Sequence, residues 1–333
     1  MVTMQYIAKK TGLSRYTVSK VLKGAPTVKE NSRKKVFAAC DKYGYLPNSN
    51  AVGLVKGKTT LIGVVVPYVT DDFYSEFAEY LDQAALEKGY QLIYRSSYND
   101  SKTESNIIKN FLALKVCGMI IVPVVTNPDI HIHKIAGKNV PIVYFDRPFD
   151  SNQYHVINDN RLGIFKITEL VISKGRTPAY LGSFYHESNI TSVLREQGYR
   201  EAMKAHELVP RVVDCCNSPS KQDNEQFGYD NAKKLIAEGN VPDALLCVTD
   251  AVALGAMRAL SEAGIMPGQD IMIAGHDNLH FSAFISPSLS TVKQPKDLFA
   301  RTCIEVLDNI NHGSPPEQKK FMFEPEILIR EST

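Results

Sequence analysis

Long hydrophobic runs are missing from this 333-residue chain. Stretches such as Leu61–Val66 and Met119–Val125 fall far short of the roughly 20 apolar residues that a membrane-spanning helix needs. The segment Met1–Lys10 lacks the apolar core of a secretory signal and leads into polar, basic sequence, so the chain is expected in the cytoplasm with no membrane partner. The six cysteines (Cys40, Cys117, Cys215, Cys216, Cys247 and Cys303) show no C-x-x-C spacing and mostly sit in apolar stretches. That pattern reads as reduced core thiols rather than a disulfide framework or a metal site. Also missing are G-x-G-x-x-G, a nucleophile elbow and H-E-x-x-H, so an enzyme reading has little support and no cofactor is expected. Gly57-Lys58-Thr59 imitates a phosphate loop, but Val52 stands where its first glycine is required and the stretch precedes a strand instead of following one.

What is present is a sharp asymmetry of charge. The overall balance is +2, yet residues 1–58 carry twelve Lys/Arg against Glu30 and Asp41, giving +10, while the other 275 residues sum to −8. A basic head on an acidic body points to a polyanionic partner for the head alone. The length suits two or three domains, and a content of 44% hydrophobic and 22% charged residues is that of a globular chain.

The head reads as three short helices. Thr3 can cap a helix running to about Lys10, after which Thr11-Gly12 makes a tight turn, with glycine free to take positive φ. Ser14 can cap a second helix whose Val18, Val21 and Leu22 face inward at helical spacing, leaving Tyr16, Lys20 and Lys23 outward. A third helix, about 29–43, buries Val36, Ala39, Cys40 and Tyr43, ends at Gly44, and turns Arg33, Lys34 and Lys35 toward phosphates. Two helices joined by a glycine turn, the second projecting polar and basic groups, fit a recognition helix in a major groove.

From Leu61 onward, short apolar strands alternate with amphipathic helices in two successive series, as expected for two doubly wound α/β lobes with parallel sheets. Ligands of such lobes bind beyond the carboxyl ends of the strands. Asp72-Phe73-Tyr74, Asp146-Arg147, Arg195 and Asp277 fall at such ends or in the following helices. Carboxylates that accept from hydroxyls, forked guanidinium groups and aromatic rings suit a hydroxyl-rich or anionic small molecule. Asp250 reads as a helix N-cap rather than a ligand contact. His276-x3-His280 and His131-x-His133 are weak as metal sites because neither has a clear further ligand.

Ile7-Ala8-Lys9-Lys10-Thr11-Gly12-Leu13-Ser14-Arg15-Tyr16-Thr17-Val18-Ser19-Lys20-Val21-Leu22 resembles the signature of the lactose-repressor family of bacterial transcription regulators. Tyr43-Gly44-Tyr45-Leu46-Pro47-Asn48 is similar to a second family motif, and the likeness continues to Arg330-Glu331-Ser332-Thr333. The resemblance implies a helix-turn-helix head, a hinge and a body of the periplasmic-binding-protein type. Expected boundaries are 1–46 for the head, 47–58 for the hinge, 59–160 with 290–321 for the first lobe, and 161–289 with 322–333 for the second.

It further implies a homodimer on a near-palindromic operator in double-stranded DNA. Thr3, Ser14, Arg15, Tyr16, Thr17, Ser19, Lys20, Lys23, Ser32, Asn48 and Leu54 would form the DNA-contacting set. Within it Arg15 and Tyr16 read bases, Thr17, Ser19, Lys20 and Ser32 hold the backbone, and Leu54 wedges into the minor groove. Lys20 stands where the family usually has Arg, and Lys23 replaces a common Asn. The effector set implied is Asp72, Phe73, Tyr74, Asp146, Arg147, Arg195 and Asp277, holding a carbohydrate-derived molecule. The ring that often stacks on the effector aligns near Asp223, with Phe227 as a weak substitute. A regulator of the same design driven by a phosphorylated partner protein is the alternative.

Overall fold

The computed structural model describes residues 2–22, 25–45, 59–124, 131–182, 190–213 and 224–333. Its contacts divide the chain into two compact units, Met1–Thr60 and Leu61–Thr333. The first holds helices α1 (Met4–Thr11), α2 (Arg15–Leu22) and α3 (Glu30–Tyr43) around Ile7, Val18, Val21, Val36 and Cys40. Leu22, Ala39 and Tyr43 pack on this cluster only partly buried.

The second unit contains two six-stranded sheets. One comprises β1 (Leu61–Val66), β2 (Gln91–Ser96), β3 (Gly118–Ile121), β4 (Ile142–Phe145), β5 (Tyr154–Asn158) and, late in the chain, β11 (Lys320–Phe323). Its order is β11-β5-β4-β3-β1-β2, with every neighbouring pair parallel. The other comprises β6 (Pro178–Leu181), β7 (Arg211–Val212), β8 (Ala244–Cys247), β9 (Met272–Asp277), β10 (Ser290–Lys293) and β12 (Glu326–Leu328). Its order is β12-β10-β9-β8-β6-β7, parallel except for the antiparallel edge pair of β10 and β12. Strands such as Leu61–Val66 are continuously apolar because helices cover both faces of their sheet.

Helices α4 (Asp72–Glu87), α5 (Ser101–Ala113) and α6 (His131–Asn139) flank the first sheet; α7 (Asn160–Ser173), α8 (Ile190–Ala205), α9 (Asn224–Ala237) and α10 (Asp250–Glu262) flank the second. Helix α11 (Lys296–Asn311) returns to the first lobe, where Phe299, Cys303, Ile304 and Leu307 pack with Ile62, Val64 and Phe77. Two crossings thus fall later than the sequence suggests. Residues 290–293 belong to the second sheet, so that crossing lies between Lys293 and Lys296; the last lies between Phe323 and Glu326. The cause is edge pairing: β10 completes the second sheet before the chain leaves it, and β11 completes the first. Among the described residues, no helix is long and apolar enough to cross a membrane.

In both sheets the strand order reverses beside the first strand of the series, at β1/β3 and at β6/β8. Such reversals open a crevice at the carboxyl ends of the strands, and the polar residues that concern function sit there.

Candidate functional site

In the head, the Thr3 hydroxyl accepts the Tyr6 N–H at 3.2 Å, and Gly12 ends α1 at φ 70° with its N–H directed to the Ala8 carbonyl. Ser14 Oγ accepts the Thr17 N–H at 3.0 Å and lies 2.8 Å from Thr17 Oγ1, fixing the start of α2. With Val18 and Val21 fully buried, the opposite face of α2 is presented to solvent: Arg15 is exposed, Tyr16 is 69% exposed, and Lys20 Nζ lies 4.7 Å from the Tyr16 ring centroid. Thr17, Ser19, Lys20 and Ser32 are half-buried. Arg33 departs from expectation: it is half-buried, and its Nη2 donates to the Ala25 carbonyl at 3.0 Å, tying the turn before α3. Lys34 and Lys35 remain exposed. Lys23, Asn48, Leu54 and the hinge lie outside the described residues.

In the body, a pocket of about 120 Å³ opens between the segment after β1 (Thr70, Asp71, Asp72, Phe73), the start of α9 (Asn224, Glu225), the start of α10 (Thr249, Ala251) and the segment ending β9 (Asp277, Leu279). Of the seven residues expected at an effector site, Asp72, Phe73 and Asp277 line it. Tyr74, Asp146, Arg147 and Arg195 are buried and do not line it. Tyr74 Oη donates to Asp146 Oδ2 at 2.9 Å, and Arg147 Nη1 donates to Asn99 Oδ1 at 3.0 Å and to the Pro123 carbonyl at 3.2 Å. Asp146 itself has φ 64°, in a tight turn where the Arg147 N–H reaches the Phe145 carbonyl. Non-glycine residues rarely adopt this backbone, and its cost is met by the buried bonds around it.

Arg195 donates to Asn160 Oδ1 (2.8 Å), to the Val248 carbonyl (2.8 Å) and to Asp277 Oδ1 (3.2 Å), joining α7, β8 and β9 with one guanidinium. It can do so because Gly198, one turn along α8, meets the backbone of α7: a Cβ there would lie 2.1 Å from the Arg161 carbonyl oxygen. The spacing Arg195-x-x-Gly198 is thus a close helix crossing that delivers the arginine. Asp277 Oδ1 also accepts from Gln294 Nε2 (2.6 Å) and pairs with His276 Nδ1 (2.9 Å). A carboxylate only accepts, so Nδ1 carries the imidazole proton.

Electrostatics divide the acids around the pocket. For Asp277, burial opposes ionisation, but the Arg195 guanidinium and the His276 contact outweigh it and hold the carboxyl below its ordinary range. His276 is pushed down to about 4, first by burial and then by Arg195, and so stays neutral. Burial, reinforced by the charge of Asp277, pushes Asp71 up to about 7 and Asp250 up to about 6.

Sequence reasoning missed Asp71, whose Oδ1 accepts the N–H groups of Phe73 (3.0 Å) and Tyr74 (3.4 Å) and caps α4. Asp72 is the exposed first residue of that helix. The same one-residue slip applies to α10. Thr249 is its N-cap, accepting the Val252 N–H at 3.2 Å, whereas fully buried Asp250 accepts from Leu279 N (2.8 Å), Ser282 Oγ (2.7 Å) and Thr291 Oγ1 (2.5 Å). In both cases a polar residue just before an acid was the available signal. Glu225 was also missed; Gly255 of α10 meets its carbonyl closely enough to seat it at the pocket. Phe227 is buried in the second-lobe core, and Asp223 lies outside the described residues. His133, on helix α6, is fixed between Glu104 Oε1 (2.9 Å) and Tyr144 Oη (3.0 Å).

A helix-turn-helix head on a two-lobed body with a pocket at facing strand ends defines a ligand-responsive DNA-binding regulator. Residues 3–48 match the model of bacterial regulatory proteins, lacI family, and residues 168–333 match a periplasmic binding protein-like domain. The chain thus joins a lacI-family domain to a periplasmic binding protein-like domain. It is 27% identical over 333 residues to catabolite control protein A of Priestia megaterium, covering 100% of this chain and 99% of that relative. It is 28% identical over 338 residues to the ribose operon repressor of Escherichia coli K12, covering 100% of both. A lac repressor dimer solved on operator with the anti-inducer ONPF has a TM-score of 0.85 at 26% identity, covering 99% of this chain and 98% of that one.

Proposed function

We propose that this protein is a repressor that binds a near-palindromic operator as a homodimer, and that a small carbohydrate-derived molecule in the interlobe pocket sets its affinity for DNA. The observation that carries the reading is the pocket itself: both lobes supply its walls, so an occupant changes the free energy of one lobe arrangement relative to another. Its carboxylates accept hydroxyl protons while Phe73, Ala251 and Leu279 offer apolar surface, a chemistry suited to sugars. Arg15 and Tyr16 on the exposed face of α2 read bases; Lys20, Lys34 and Lys35 hold phosphates. Likeness to a lac repressor dimer on operator supports the two-fold assembly. The pocket favours a metabolite over a phosphorylated partner protein as the signal.

The test is a gel-shift assay on DNA flanking the protein's own gene, repeated with a sugar panel. Retarded bands that one sugar shifts in affinity support the proposal. Failure to bind any fragment at low ionic strength, with removal of residues 1–58 making no difference, overturns it.

A further inference from the structure

The chain crosses between the lobes at 158–160, 293–296 and 323–326, so any change in lobe arrangement turns the backbone there. The first two crossings each carry a buried side-chain amide: Asn158 ends β5, and Gln294 follows β10. Asn158 shares a sheet face with its parallel neighbour Phe323, whose ring centroid lies 5.4 Å from that of Phe299 in the first turn of α11. Gln294 leads directly into that helix, its carbonyl accepting the Lys296 N–H at 2.9 Å. The two amides thus stand on adjoining crossings at one end of α11.

Their hydrogen bonding is incomplete in complementary fashion. Asn158 Nδ2, Asn158 Oδ1 and Gln294 Oε1 are enclosed and have no partner among the described residues, while Gln294 Nε2 donates to Asp277 Oδ1 at 2.6 Å. Buried amide atoms are costly to leave unpaired, and native chains seldom do so. The donor and acceptor of Asn158 match the acceptor and donor of Gln294. Asp277 keeps Arg195 at 3.2 Å and His276 at 2.9 Å as further donors, so it can release Gln294 without losing its charge partner.

We infer that the hinge has a second hydrogen-bonding arrangement, populated without ligand, in which Gln294 leaves Asp277 and pairs amide to amide with Asn158. One bond is exchanged for two, and the exchange requires the first and second crossings to shift against each other, as a change of lobe arrangement does. Asp277 also lines the pocket. Resting on the pocket as the effector site, an occupant that claims Asp277 Oδ1 frees Gln294 and draws the hinge toward the second arrangement. Asn158 and Gln294 then set the balance on which the effector acts.

The test is hydrogen exchange on the full chain without ligand, read by mass spectrometry at the crossings. There the Asp159 N–H bonds the Phe323 carbonyl and the Lys296 N–H bonds the Gln294 carbonyl, each at 2.9 Å. Asn158→Leu removes the amide, forbids the second arrangement and rids the first of two unpaired atoms. Exchange at both crossings is therefore expected to slow at least about threefold, with the melting temperature unchanged or raised. In a Gln294→Met background, Asn158→Leu should add no further slowing, because the same pair is already lost. An asparagine that only filled space, or whose amide was satisfied by bound water, would give the opposite sign when replaced. Unchanged or faster exchange overturns the inference. If leucine proves too large for the chain to fold, Asn158→Ala decides by the same sign. Binding to DNA flanking the protein's own gene is measured on the same variants. Slowed exchange with altered affinity supports the hinge and the functional reading together; slowed exchange with unaltered affinity supports the hinge and counts against lobe arrangement as the control of DNA binding.

Discussion

Arg195 Nη2 and Asp277 Oδ1, 82 positions apart in the chain, meet at 3.2 Å beneath the interlobe pocket, each side chain almost fully buried. Desolvating both charges is expensive, and the pair persists because further hydrogen bonds surround it: Asn160 and Val248 on the arginine, Gln294 and His276 on the acid. Its role is geometric, since it locks the ends of β8 and β9 to the start of α7 and so shapes the pocket floor. Arg195→Met should lower unfolding free energy by about 3–5 kcal/mol, because Asp277 is left buried without its cation. The double variant with Asp277→Asn should recover part of that loss. Urea titrations of the two variants check this, and a loss below about 1 kcal/mol for the single change would contradict it.

Gly198→Ala should destabilise by about 2–3 kcal/mol, since a backbone carbonyl at 2.1 Å from the new Cβ cannot yield without parting α7 from α8. Arg195, one turn away, would move with α8, so ligand response should weaken more than stability alone explains. Calorimetric melting with and without a responding sugar separates the two effects. A wild-type melting temperature would refute the crossing argument.

The acids around the pocket give the body a specific pH dependence. Asp71 is raised from its ordinary 3.8 to about 7, so the folded state keeps a proton that the unfolded state releases, and stability falls as pH rises between those values. Asp250, raised to about 6, acts in the same direction. His276 opposes them: held down to about 4 from 6.5, it favours the folded state above that window, a contribution lost as pH falls through it. Asp277, held below its ordinary range, contributes stability that persists until still more acid conditions. Asp71→Asn isolates one member of the set. Between pH 4 and pH 7 the wild type should lose on the order of 2 kcal/mol relative to this variant. Parallel stability-versus-pH curves for the two proteins would refute it.

The head was readable because its determinants are local. Thr3, Gly12 and Ser14 each act within about four residues of their own position, through a side-chain cap or a positive φ. The lobes were readable as alternating elements but not in their connections. Nothing local in Ser290–Lys293 or Lys320–Phe323 says which sheet each strand completes, because that is decided by a neighbour far away in the chain. Helix α11 was overlooked although Phe299, Cys303, Ile304 and Leu307 have helical spacing. The pocket lining was half legible: acids at strand ends were found, but which of two adjacent residues caps a helix depends on backbone angles at the junction, and so Asp71 and Thr249 were passed over.

In the head, stability and recognition should separate. Ser14→Ala removes the α2 cap and should cost about 1 kcal/mol. Tyr16→Ala, on the exposed face, should leave head stability unchanged while altering operator preference. Lys20→Gln should weaken binding to all sequences alike and reduce the logarithmic salt slope by about 1. Binding titrations across salt concentrations on two unrelated sequences distinguish these outcomes. An unchanged slope would remove Lys20 from the phosphate contacts.

The lobes are joined beside the pocket by Glu76 of α4, whose carboxylate pairs with Lys296 and whose Oε1 accepts the His280 N–H at 2.7 Å. Lys296 in turn donates to the Asn278 carbonyl, and Leu279 between them is buried in the first-lobe apolar cluster. A second-lobe loop is therefore clasped by first-lobe groups, and Leu279 and Asp277 of that same segment line the pocket. Glu76→Gln retains an acceptor for His280 but loses the ion pair, so the clasp should loosen without unfolding either lobe. The expected signature is faster amide exchange at His280 and its neighbours, with the β-strand cores still protected. Ligand affinity should fall with it, because part of the binding free energy must then close the loop. Unchanged exchange at His280 would show that the clasp does not hold the lobes together, and that Leu279 packing alone does so.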